Sequence, residues 1–153
     1  MNNRAFSSRL NRFIYDWWMS NCASFKFYNS PQFQLDNAGE TFESFTREWT
    51  LNKTIPMWDD LCDNNIFGDS RINAMFRAWH DYMHVTTGND FTLQGEINTY
   101  KIQVEMLPKD WTYERMLLQA EIVGQGVHYT FSDKIISNQR EFARNYIKTL
   151  TNP

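Results

Sequence analysis

The chain has two cysteines, Cys22 and Cys62, in 153 residues, and they form neither a CxxC pair nor a Cys/His cluster. That excludes a zinc finger, makes a reducing cytosol the simpler setting, and leaves one disulfide open. A dominant charge is also missing. The 15 basic and 18 acidic residues are mixed along the chain and sum to −3, so the counterion release that drives nucleic-acid binding has no source. Nucleic acid is disfavoured as the main partner. No run approaches the ~20 apolar residues of a spanning helix, and the first segment, broken by Asn11, Arg12 and Asp16, lacks a secretory core. The expectation is a soluble intracellular protein with no membrane contact. Internal repeats, low-complexity tracts and linkers are absent from the sequence.

What is present is a surplus of large rings, 12 Phe, 7 Tyr and 6 Trp. They suit a core of aromatic side chains with part of that surface kept for a partner. A chain of this length can bury a real core without metal or disulfide, so any metal would be functional or locally structural. Apolar periodicity predicts a mostly α, single-domain helical bundle over residues 1–153, with an irregular helix-and-loop region over 1–70 and a four-helix core over 70–150. Leu10, Phe13, Ile14, Trp17 and Trp18 mark a helix over 5–19. Residues 24–39 read as a loop or short strand excursion, 40–49 as a helix, and the stretch from Pro56 to Gly68 as a long loop. Three further helices follow, over about 70–87, 90–107 and 112–131, and Ser132 is expected to begin the last one.

The core helices carry groups that a bundle normally keeps on its surface. His80 and His84 stand four apart beside the stripe of Phe76, so both rings should point inward, and neutral imidazoles one turn apart can reach a single ion. The competing account is a partly buried pair bonded to nearby carbonyls. Glu96 shares a face with Tyr100, Gln103 and Leu107, which fits either a ligand or a first-turn carboxylate stabilised by the helix dipole. Glu121 falls inside the stripe Tyr113, Leu117, Ala120, Gly124, His128 and Phe131. A buried carboxylate there must find a cation or donors, or take up a proton. Gln125 and His128 follow on the same face. Gly124 and Gly126 imply close approach by a neighbouring helix or room for a ligand.

The run Phe76-Arg77-Ala78-Trp79-His80-Asp81-Tyr82-Met83-His84, then Gly88, Phe91 and Gly95-Glu96, then Glu121-Ile122-Val123-Gly124-Gln125, resembles a pattern in uncharacterised proteins of tailed bacteriophages and prophages. Those proteins carry an Arg-Ala-x-His-Asp core, a second histidine one turn on, a Gly-Glu element and a downstream Glu-x-x-Gly-Gln. The resemblance implies a viral origin, a host-cytoplasmic location and a shared site at His80, Asp81, His84, Glu96, Glu121 and Gln125, without implying a reaction. His128 and residues 1–70 lie outside it.

Two classes of function follow. In one, His80, His84, Glu96 and Glu121 hold one divalent ion or a pair, Mn²⁺, Fe²⁺ or Zn²⁺, in a hydrolase-like metalloenzyme. Glu121 or Asp81 would then accept a proton and Gln125 orient the substrate. The missing Glu-x-x-His repeats count against a ferritin-like oxidase. In the other, the cluster is a structural network, and the protein binds a host or phage protein through aromatic residues of its N-terminal third, Trp17, Trp18, Phe25, Phe27, Tyr28, Trp49 and Trp58. Nucleophilic catalysis by Cys22 or Cys62 ranks below both, since neither has a neighbouring base. Under the first account His80, His84, Glu96 and Glu121 should converge.

Overall fold

The computed structural model of the protein describes residues 4–28, 42–58 and 64–152, and these form a mostly α single domain. Cys62 lies outside the described residues, as do the side chains of Tyr28 and Trp58, while Cys22 is exposed and carries a free thiol. Helix α1, Ser8–Asn21, starts where the Ser7 hydroxyl accepts from the Leu10 N–H, and it buries Leu10 and Ile14 at helical spacing. A short turn, Cys22–Ser24, leads into strand β1, Phe25–Tyr28. This pairs in parallel with β2, Ile55–Trp58, in the register Phe25 to Ile55, and helix α2, Phe42–Asn52, lies between them in sequence.

The loop expected from Pro56 onward therefore begins as a strand. A proline is tolerated there because each strand of a two-stranded sheet is an edge, where the missing N–H need not break a ladder bond.

Helix α3, Ser70–Thr87, is capped by the Asp69 carboxylate and stops at Gly88, whose φ of 75° is the left-handed conformation that glycine adopts without strain. Helix α4, Leu93–Met106, begins after Thr92, whose hydroxyl accepts from the Gly95 N–H. The next helical rod is interrupted. Helix α5, Thr112–Gln119, passes through a π-helical turn, Ala120–Gly124, into helix α6, Gln125–Ser132. Helix α7, Gln139–Thr151, closes the domain, and Asn138 caps it by accepting from the Glu141 N–H. The last helix thus starts seven residues later than expected. Ser132 turns its hydroxyl back to the His128 carbonyl, and Asp133 takes a left-handed conformation that ends α6. Residues 133–138, with Ile135 and Ile136, run as an irregular connection.

Trp79, fully buried, sits at the centre of the main core with Phe76 from its own helix. Leu10, Ile14 and Phe13 come to it from α1, Leu117 and Leu118 from α5, and Ala143 from α7. A smaller cluster of Phe45, Ile55 and Val85 lies on another face of α3, covered by Trp49, Tyr82 and Phe91. Helix α3 is the element common to both. Much of the aromatic surplus is spent here: Trp17, Trp18 and Phe25 stack on one another or on Tyr82, as does Trp49, and Phe27 alone of these is more than half exposed. The N-terminal region is tied to the core by Arg9, which donates two hydrogen bonds to the buried Glu114 at 2.7 and 2.8 Å.

The π turn rewrites the stripe read from the sequence. Leu117, Ala120 and Gly124 are buried as expected, and the extra residue in the turn rotates Phe131 outward to 80% exposure, while Tyr113, 38% exposed, precedes the turn and lies at the margin of α5. At Gly124 a Cβ would meet the Tyr146 ring at 2.9 Å, while at Gly126 its nearest neighbour would be Leu93 at 3.7 Å. Close helix approach explains the first glycine, and at the second, beside a cavity, a Cβ would make only ordinary contact with Leu93 and Glu96. Gly124→Ala should therefore cost about 1–3 kcal/mol by overpacking. Gly126→Ala should be neutral or stabilise by up to about 1 kcal/mol through helix propensity. Denaturant titration of both variants checks the contrast.

Candidate metal centre

The site begins with helical spacing. His80 and His84, one turn apart on α3, bring their Nε2 atoms to 3.0 Å of each other. Glu96, in the first turn of α4, places Oε2 at 2.8 Å from His80 Nε2 and 3.2 Å from His84 Nε2. His84 is fully buried, and the side chains of His80 and Glu96 keep 16% and 23% exposure. These three residues form a group whose ligand atoms lie within 4.8 Å of one another, and they could hold a metal ion.

The second ring nitrogens decide what the first can do. His84 Nδ1 lies 2.8 Å from the Asn89 carbonyl oxygen and 3.2 Å from Thr99 Oγ1, and His80 Nδ1 lies 2.6 Å from Gln103 Oε1. A backbone carbonyl only accepts, so His84 Nδ1 donates to Asn89; with the Gln103 amide turned so that Oε1 faces His80 and its Nε2 is left without a partner, His80 Nδ1 donates too, and both Nε2 atoms of the neutral rings are then bare. Three lone-pair-bearing atoms then face one point. Such an arrangement is repulsive unless a cation, metal or proton, sits among them.

The local chain is built to keep it so. Gly88 turns the backbone back over α3, and Asn89 bonds to the His84 carbonyl through its N–H and to the His84 ring through its own carbonyl. At Gly95 a Cβ would fall 1.9 Å from the Asp90 carbonyl oxygen, so α4 starts directly beneath that turn, and Thr99 bonds to the Gly95 carbonyl. Electrostatics follow the geometry. Burial opposes charge on Glu96, but the hydrogen bonds that His80 and His84 donate through Nε2 when a proton rather than a metal occupies the triad outweigh it and hold the carboxyl at about 2. Burial likewise lowers His80, and the Glu96 hydrogen bond and charge outweigh that too, raising its proton affinity.

Two cavities meet at His80 and Glu96. One of about 380 Å³ is bounded by Glu121, Gln125 and Gly126 on the π turn and α6, with Phe76, Arg77 and residues 134–136 around them. The other, about 420 Å³, is bounded by Asp81, Phe45 and Phe91. Glu121, buried as expected, accepts from Gln125 Nε2 at 2.9 Å and is not within the close ligand group. His128 packs on Phe142. The sequence reading gave no role to Gln103, Thr99 or Asn89. Thr99 and Gln103 were findable, being three and seven residues beyond Glu96 on one helical face.

No protein-family model, curated protein or solved structure matches the chain.

Glu121 supplies a test of the cavity description. Burial pushes its carboxyl up to about 8 from an ordinary 4.5, against the opposing Gln125 hydrogen bond. The folded value lies above the unfolded one, so the stability it confers is complete below the unfolded value and is lost as pH rises to about 8. Glu121→Gln cannot titrate. The stability of wild type relative to this variant should thus fall by a few kcal/mol between pH 5 and 8 and level off above, as urea titrations would record.

Proposed function

We propose that His80, His84 and Glu96 bind one divalent transition-metal ion, and that the protein is a small metal-dependent enzyme of hydrolytic type. The observation that carries this reading is the grouping of His80 Nε2, His84 Nε2 and Glu96 Oε2 around one point, with an oxygen behind each ring to take the Nδ1 proton.

The edges of the ligand triangle, 2.8, 3.0 and 3.2 Å, favour particular metals. At metal–ligand distances of about 2.1 Å they correspond to angles of about 90°, whereas a tetrahedral site would space its ligands by about 3.4 Å. Mn²⁺ or Fe²⁺ in six-coordinate geometry fits better than four-coordinate Zn²⁺. Three protein ligands on one face leave positions for water and substrate, and an ion there would polarise a substrate oxygen and make water acidic enough to attack it. Asp81, Glu121 and Gln125 line the adjoining cavities and are the residues we assign to proton transfer and substrate orientation. A tailed-phage origin and action in the host cytoplasm belong to the same proposal. They rest on the Arg77-to-Gln125 pattern, and no helix among the described residues is long and apolar enough to cross a membrane.

A second reading has one observation in its favour. The raised proton affinity of His80 beside ionised Glu96 lets a proton satisfy the triad, which would make it a structural network in a protein that binds a host or phage protein. Metal titration separates the two. At an ion concentration about 100 times Kd, binding should add roughly 2.7 kcal/mol and raise Tm by several degrees, and His80→Ala should abolish the shift. Absence of any shift with Mn²⁺, Fe²⁺ and Zn²⁺ would leave the binding protein as the account.

Gln103 gives a finer prediction. Gln103→Leu removes the acceptor behind His80 and should weaken metal affinity about 10–100-fold, measured by calorimetry. Unchanged affinity would mean that the His80 tautomer is set by something other than Gln103.

A further inference from the structure

Glu121 is more than nine-tenths buried, on a π-helical turn that inserts an extra residue opposite the triad. Its hydrogen-bonding is incomplete in a way that points to a ligand. Oε2 receives a donor, the Gln125 amide, and Oε1 is buried with no partner. The titratable and charged groups that share its cavity are Arg77 and His80 on α3, Glu96 on α4, Tyr129 on α6 and Lys134 on the connection to α7, and none of them bonds to it. On the α7 side the groups against the π turn are the Phe142 and Tyr146 rings. A carboxyl so placed is far cheaper to bury with its proton than without it. A proton on Oε2 can be shared with the Gln125 amide, but a proton on Oε1 finds no acceptor among the described residues. A buried donor without an acceptor costs about 1–3 kcal/mol, which a ligand oxygen in the cavity would recover.

The remaining walls define that ligand. Lys134 has no ion-pair partner among the described residues, and Phe76, Ile122, Ile135 and Ile136 are apolar. A volume of about 380 Å³ matches a small organic molecule. We infer that Glu121 is a ligand-recognition residue: its neutral carboxyl group donates a hydrogen bond to an oxygen of a compact oxyanion, a carboxylate or phosphate on an apolar body, bound in the cavity beside His80 and Glu96. The role is that of a donor, the reverse of the proton acceptor that an ionised glutamate would be. It deepens the enzymatic reading but does not require the ion.

The test is calorimetric titration of benzoate and phenylphosphonate into the full chain at pH 6.5, once with chelator and once with Mn²⁺. At least one compound should bind under both conditions, and which one binds identifies the anion. Glu121→Gln, which keeps a neutral donor, should bind within about threefold of wild type, and Glu121→Leu should lose about tenfold or more, the worth of one hydrogen bond to a charged acceptor. At pH 9 wild type should lose affinity as Glu121 ionises, and Glu121→Gln should not lose this share. Wild-type affinity in Glu121→Leu, equal losses in both variants, or no binding of either compound would overturn the inference. If Glu121-dependent binding persists but Mn²⁺ changes neither it nor Tm, the metal reading fails and this one stands. Thermal melting of Glu121→Leu controls for folding, and this apolar substitution at a buried carboxyl should leave Tm unchanged or higher.

Discussion

The site depends on one contact, two imidazole nitrogens 3.0 Å apart, which is unfavourable when both protons lie on the far side of the rings and no cation sits between. Left alone, the pair would rotate apart or one ring would change tautomer, and several elements prevent it. Gln103 holds His80 from α4, the Asn89 carbonyl holds His84 from the turn after α3, and Thr99 crosses from the first turns of α4. Two of the restraints come from α4 and the third from the turn after α3. The α3–α4 corner, with a left-handed Gly88 and a Gly95 that admits no side chain, is shaped by the need to bring these acceptors behind the two rings.

That corner can be rigid because α3 is anchored on both faces. Trp79 ties it to α1, α5 and α7 through the main core, and Tyr82 and Val85 tie it to α2 and the sheet. Histidines at positions 80 and 84 of the same helix inherit that rigidity, since their rings leave a backbone that has no slack. A ligand set must be held within a fraction of an ångström to prefer one coordination geometry over another. Here the packing of aromatic rings, remote from any ligand, sets that tolerance.

The sequence made the local part of this legible and the nonlocal part not. Spacing of four placed His80 and His84 together, the stripe of α4 placed Glu96 toward the core, and the apolar surroundings of Glu121 announced its burial. Each inference needed one helix only. The parallel pairing of Phe25 with Ile55 joins segments thirty residues apart, and Pro56 disguised its strand as a loop. The π turn also left no mark, because nothing in Ala-Glu-Ile-Val-Gly distinguishes it from an α turn, and one inserted residue sufficed to misplace Phe131. Asn89 contributes a backbone carbonyl, which any residue could supply, so its role exists only once the Gly88 turn is built. The start of α7 was misread because Ser132 and Asn138 are both capable caps, and the left-handed Asp133 decides between them.

The two glutamates at the ends of one cavity show how the fold divides labour between identical side chains. Glu96 faces two imidazoles and stays ionised to about 2, and Glu121 faces an amide and apolar walls and keeps its proton to about 8. Near neutral pH the first is a metal-seeking anion and the second a hydrogen-bond donor. Environments that push two carboxyls apart in this way assign acid and base roles in known active sites, and the separation is costly to stability on the Glu121 side. A purely structural bundle would gain by replacing Glu121 with leucine or methionine, since its Oε1 is buried with no partner among the described residues. A buried acid with one oxygen unpartnered among the described residues, on a π turn lining the same cavity as His80 and Glu96, is therefore better explained by a ligand that spans the cavity than by the needs of the fold.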